Sequence, residues 1–167
     1  RILAVIALAL LAWGCKEPSP PPPPTAAYAG SASCAECHAQ AYDEWKGSHH
    51  AGAQRLLDDK LDRQAFEPAR EIRHASQKSY AEIRDGKYTL TTMGRDSQPH
   101  PFVPVEALGV YPLWQYLIPA EGGRLQVTEL AFDPDKKEWF NVYNDEDRKG
   151  HEWGHWSNRG MNWNSMC

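Results

Sequence analysis

Tyr80-Ala81-Glu82-Ile83-Arg84-Asp85-Gly86-Lys87-Tyr88-Thr89-Leu90-Thr91 is the stretch on which the fold turns. Two runs with aromatic and β-branched residues flank Asp85-Gly86. A two-residue Asp-Gly link is the signature of a hairpin whose central residues take positive φ. The pattern repeats downstream. Leu113 to Ile118 and Arg124 to Thr128 flank a turn at Gly122-Gly123, and Leu130-Ala131-Phe132 and Glu138 to Tyr143 flank Asp133-Pro134-Asp135. These signals predict a small antiparallel meander of about five or six strands, an insert over residues 80–145.

Upstream the texture is helical. From Ala35 to about Asp59, Ala, Glu, Gln, Arg and Leu predominate, and Ala35, Ala39, Tyr42 and Trp45 recur at spacings of three and four. Gly47-Ser48 interrupts the pattern, Gly as a C-terminal stop and Ser as an N-cap for a second helix. A further helix is expected over Pro68 to Lys78. A helical segment over 30–79 followed by an antiparallel insert reads as an α+β fold. The segment 146–167 is rich in Trp, Asn and His and has no clear period.

The chemistry sits in Cys34-Ala35-Glu36-Cys37-His38. Cys-x-x-Cys-His is the attachment signature of c-type haem. Two thiols at this spacing can each form a thioether to one haem vinyl group. The next residue, His38, then donates an imidazole nitrogen to the iron. A zinc half-site would need two downstream histidines three to five residues apart; His50 is placed for the first, but Gln54, Arg55 and Leu56 stand where its partner should be. A thioredoxin-like dithiol would need a βαβ context, which the surroundings of Cys34 lack.

Haem is attached to such motifs outside the cytoplasm, so an export signal is expected. Ile2 to Leu11 is a nearly unbroken apolar run after Arg1, too short to span a membrane, for which about 20 residues are needed. It suits the h-region of a signal peptide. Leu11-Ala12-Trp13-Gly14-Cys15 resembles a bacterial lipobox, which would make residues 1–15 a leader ending in a lipidated Cys15; Trp13 is unusual there. Cleavage after Ala27-Tyr28-Ala29 is the alternative. Residues 16–29 contain the polyproline tether Pro18 to Thr25, an extended spacer of about 3.1 Å per residue. Lys16 offers no inner-membrane retention cue of the Asp type. The chain starts at Arg1 and ends at Cys167, which reads as a fragment of a longer frame.

A haem iron needs a sixth ligand or leaves an open site. His49 and His50 are the nearest source. On a continuous helix His49 would lie about 16 Å from His38 along the axis. Either the chain bends at Gly47-Ser48, or the ligand serves another haem, or both rings simply face solvent. His151 and His155, flanking Trp153 and Trp156, are further candidates. His74 and His100 have weaker claims, and Met93, Met161 and Met166 lack a signature context.

Tyr28 to Ala51, with Cys34, Cys37, His38, Trp45, Ser48 and His50 as its landmarks, resembles the first haem module of the bacterial multihaem c-type cytochromes. That family includes the tetrahaem carrier of ammonia oxidisers and larger relatives, some fused to tetratricopeptide repeats. The resemblance implies that the histidine of Ser48-His49-His50 corresponding to the family's Ser-x-His, namely His50, is a distal ligand, with His49 the alternative. Leu113 to Ile118, Gly123 to Gln126, Glu138 to Phe140 and His155-Trp156 resemble a β-rich insert between two haem motifs in one branch. By the same resemblance Asn162 to Cys167 leads into a second CxxCH, of which Cys167 is the first cysteine.

The expected function is electron transfer in the periplasm or cell envelope. The chain would carry at least one haem c, with more in the intact protein, ligated by His38 and His50. The expected partners are redox proteins or other haems of the same chain, and a membrane reached through a lipid on Cys15. The alternatives are a multihaem oxidoreductase acting on a small nitrogen or sulfur compound at an open haem, and a scaffold whose insert binds a partner, with Asp145-Glu146-Asp147 as a docking patch. No residue identifies an open-haem pocket, so a carrier is preferred to an enzyme. With a net charge of −4 and scattered Lys and Arg, nothing suggests nucleic acid.

Overall fold

The computed structural model describes residues 29–166. The Asp85-Gly86 hairpin forms as the sequence predicts: β3 (Gln77–Arg84) and β4 (Lys87–Met93) pair antiparallel with Arg84 opposite Lys87. Asp85 and Gly86 have φ of 50° and 72°, the positive values that match the twist of the flanking strands. β2 (Arg70–His74) and β5 (Pro99–Phe102) complete a four-stranded sheet of order β2-β3-β4-β5.

A second sheet has the order β1-β6-β7-β8-β9. Its strands are β1 (Gln54–Leu56), β6 (Glu106–Leu108), β7 (Trp114–Ala120), β8 (Arg124–Asp133) and β9 (Glu138–Asn141). Gly122 and Gly123, at φ of 74° and 75°, carry the β7–β8 turn. Asp133 makes the β8–β9 turn by accepting the amides of Asp135 and Lys136, both at 3.0 Å. The α+β reading therefore holds at the level of helices with antiparallel sheets. The antiparallel meander recurs in each sheet, over β2 to β5 and over β6 to β9, but the expected five or six strands become nine in two sheets among the described residues, and Leu130-Ala131-Phe132 continues β8 instead of starting a strand.

Two helical expectations are corrected. Pro68 to Lys78 contains β2 and the start of β3. Its charged residues alternate with Ile72 and His74, which point inward, a period of two that pairing with β3 makes decisive. The second helix expected from Ser48 to about Asp59 does not form: the first helix ends at Lys46 with Gly47 as its stop, as expected, but the chain then turns and β1 pairs with β6. The helices are α1 (Ala39–Lys46), α2 (Asp59–Phe66) and a short α3 (Trp163–Met166).

The two sheets close over one core. Helix α2 starts at Asp58, whose carboxylate caps the amides of Lys60 and Leu61. It ends by driving Phe66 among Tyr88, Tyr116 and Trp139, with ring centroids at 4.9, 5.0 and 5.6 Å. Trp139 donates its indole N–H to the Ala65 carbonyl at 2.6 Å. Ile72, Ala81 and Leu90 from one sheet and Ala107, Trp114, Leu130 and Phe132 from the other fill the rest.

The interior also has a polar part. His74 Nδ1 accepts from Asn141 at 3.1 Å, and its Nε2 faces the Ser79 hydroxyl at 3.2 Å. Ser79 in turn donates to Thr92 at 2.8 Å. This chain of bonds ties β9, β2, β3 and β4 together and fixes a neutral His74 with its proton on Nε2. The segment after β9 seals this region. Trp156 is buried, donates to the Met93 carbonyl at 2.8 Å and stands edge-on to Phe102. The Gln126 amide donates to the Trp156 and Asn158 carbonyls at 3.0 and 2.8 Å.

Candidate functional site

Cys34, Cys37 and His38 share one tight turn. Residues Ser31–Glu36 form a 3-10 helix, and the amides of Cys37 and His38 both reach the Cys34 carbonyl, His38 at 2.9 Å. His38 then stands at the head of α1, and its carbonyl accepts the Tyr42 amide at 2.9 Å. Both cysteines are free and exposed. The motif thus lies on a 3-10 turn that breaks before the helix, not on one continuous helix from Ala35.

The next two turns supply an apolar wall. Tyr42 and Trp45 lie one turn apart, with ring centroids at 5.7 Å. With Ser31, Cys34, His38 and Ala41 they line a recess of about 250 Å³. No residue of the 3-10 turn or of α1 is buried. An eight-residue helix with a half-buried Tyr42 and an exposed Trp45 is marginal on its own; a flat apolar body laid against this face would cover both rings.

That is a fit test for haem c, and the residues pass it. Two exposed thiols stand two residues apart, an imidazole follows directly, and an aromatic wall adjoins them. Among the described residues no cluster of three or more His, Cys, Asp or Glu is arranged to hold a bare metal ion. Among those residues the thiol pair thus has no partners of the kind a zinc site needs.

The other histidines separate by environment. His49 and His50 are exposed on the turn between α1 and β1 and do not line the recess. That turn is tied down just beyond them: Gly109 N–H donates to the Ala53 carbonyl at 2.8 Å, and Gly52 packs against Val110. His151 is exposed. His155 is fully enclosed; its Nδ1 faces the Ser157 hydroxyl at 2.9 Å and its Nε2 has no partner. His74 is spent on Ser79 and Asn141, and His100 pairs with Asp96 at 2.9 Å. Among the methionines, Met161 packs with Leu108, Leu117 and Val127 in a second small cluster. Cys15, the 1–15 leader, the polyproline tether and Cys167 lie outside the described residues.

Sequence reasoning passed over two buried carboxylates. Asp62 is fully enclosed and held by Arg55 at 2.7 Å. Glu129 is 1% exposed on β8, both its oxygens are unpartnered, and His74 Nδ1 is 3.8 Å away. Burial pushes the Glu129 carboxyl up to about 7. An acid directly before the apolar triplet Leu130-Ala131-Phe132, two residues after Val127, was the available signal.

No curated protein and no solved structure matches the chain. The model of a family described as cytochrome c554 and c-prime matches residues 33–93, from the cysteine motif through α1, β1 and α2 to the end of β4. The match supports a c-type cytochrome family and, with it, a covalently bound haem c and an electron-transfer role.

Proposed function

We propose that this chain is an exported electron carrier of the cell envelope, one module of a multihaem chain. In this reading Cys34 and Cys37 hold haem c through thioethers, His38 is the proximal ligand and His50 the distal one, with His49 as the alternative. The observation that carries it is the folding of the whole motif into one exposed turn beside the Tyr42–Trp45 wall, inside the stretch matched by the cytochrome family. When bound, haem supplies a centre that takes up and releases single electrons. The chain's own residues do the rest. Tyr42 and Trp45 exclude water from one side, which shifts the potential through burial. Imidazole on both sides would leave no open position for a substrate and would favour a lower potential than a His/Met pair.

The tether, with Cys15 lipidated, would hold the folded part off a bacterial membrane, within reach of redox proteins or of further haems on the same polypeptide. No helix of the described residues is long and apolar enough to cross a membrane. Cys167 would open the next haem motif.

Purified from cells competent in cytochrome maturation, the protein is expected to keep its red pigment through extraction with acidified organic solvent. A colourless polypeptide would end this proposal. Carbon monoxide and cyanide should leave the spectrum unchanged; a shift would favour the open-haem oxidoreductase instead. His50→Ala is expected to turn a low-spin spectrum partly high-spin, and an unchanged spectrum would exclude His50 and move the assignment to His49.

A further inference from the structure

Far from the cysteine motif in sequence, a groove of about 520 Å³ opens between Arg95, on the turn after β4, and His151, Trp153, Asn158 and Arg159. That volume lies within the roughly 300–1,000 Å³ of small-molecule sites. Its charged lining is cationic, although the chain as a whole carries −4. Of the neighbouring carboxylates, Asp96 pairs with His100 at 2.9 Å, Glu146 with Arg148 at 2.6 Å and Asp147 with Lys149 at 2.7 Å, while Glu152, between His151 and Trp153, is exposed and unpaired but does not line the groove. Among the described residues, neither Arg95 nor Arg159 has an ion-pair partner.

The floor is Trp153, which is 78% exposed. Its ring rests on Gly160, where an added Cβ would come within 2.9 Å of Cε2 and Cζ2. Only glycine lets the indole settle there, and the ring's other face is left open. The rim is fixed as well. Gly150 packs so closely on the backbone of Gly94 and Arg95 that a Cβ would meet their carbonyl oxygens at 2.4 Å. Its N–H donates to Ser97 Oγ at 3.1 Å. Asn158 ties the loop across its base, donating to the Gly150 and Glu152 carbonyls at 2.8 and 2.6 Å.

An indole with one face on Gly160 and the rest exposed, beside two guanidiniums without ion-pair partners, suits one kind of ligand. The planar fork of Arg takes a carboxylate, sulfonate or phosphate through two parallel bonds. An open indole face takes a flat ring by offset stacking. We propose that this groove binds a small planar aromatic anion, its ring stacked on Trp153, its acidic groups held by Arg95 and Arg159, with His151 as a further donor.

The test is calorimetric titration of the haem-loaded protein with anthraquinone-2,6-disulfonate as probe and sulfate as a ring-free competitor. We expect saturable binding at one site. Trp153→Ala should weaken it at least tenfold, as should Arg95→Gln combined with Arg159→Gln. Equimolar sulfate should displace little of the probe. All three side chains are on the surface, so unchanged far-ultraviolet dichroism will show that the variants fold. The proposal is overturned if the wild type does not bind the probe, if the variants bind it equally well, or if sulfate competes as strongly as the probe itself.

Discussion

Asp62→Ala is expected to destabilise the protein by about 3–5 kcal/mol, the usual cost of removing one partner of a buried ion pair. Asp62 is completely enclosed, and every lone pair facing a donor is in use. Arg55 grips both its oxygens, at 2.7 and 2.9 Å. The Asp58 amide donates to it at 2.7 Å and the Tyr116 hydroxyl at 3.1 Å. Removing the carboxylate strands a largely buried guanidinium, a backbone N–H and a buried phenol together. The loss also reaches the second sheet, because Arg55 is the central residue of β1 and lies over the Trp114 ring at 5.4 Å. Denaturant unfolding followed by dichroism will measure it. A loss below about 1 kcal/mol would mean that water replaces the carboxylate and that the site is not sealed.

The second large effect is one of pH. Glu129 is held protonated in the fold up to about 7, against an ordinary value of 4.5. Between those values the unfolded chain has lost a proton that the folded one retains, so this group's contribution falls as pH rises, by about 3 kcal/mol in all. His155 acts in the opposite sense. Burial pulls its imidazole down to about 4 from 6.5, so its contribution rises with pH over that window. The two slopes oppose each other from about 4.5 to 6.5, with His74, also held neutral by burial, adding to the rise, so the wild type is expected to show a shallower rise there than a protein without the Glu129 carboxyl. Glu129→Gln removes one of them. The variant should gain stability steadily from pH 4 to 6.5 and exceed the wild type by about 2–3 kcal/mol at pH 8. The groups around Glu129 set the size of the gain: Arg148 favours its ionised form, while Asp147 and Glu146 oppose it. His74, at 3.8 Å, stays neutral through burial. Parallel profiles for the two proteins would show that Glu129 is already ionised in the fold.

What was legible in the sequence was local. Asp85-Gly86, Gly122-Gly123 and Asp133 each fix a turn through their own backbone or side chain, so three hairpins could be read without knowing the rest. Cys34, Cys37 and His38 are equally local, since one turn contains them all. What escaped depends on distant partners. Residues 70–74 become a strand because β3 lies beside them, and only Ile72 betrays the inward face. The two sheets are joined through Phe66 of α2, which packs on Tyr88 of one and on Tyr116 and Trp139 of the other, contacts that no spacing along the chain encodes. Arg55 and Asp62 read as surface charges until α2 folds back over β1. The placement of His49 and His50 belongs to the same class, because they sit on a turn tied down just beyond them by Gly109, more than fifty positions later.

The stretch 31–46 contributes nothing to either apolar cluster. Neither hydrophobic interior leans on that stretch, and both thiols stand outside, so a pigment attached there would be a last layer laid on a scaffold already built.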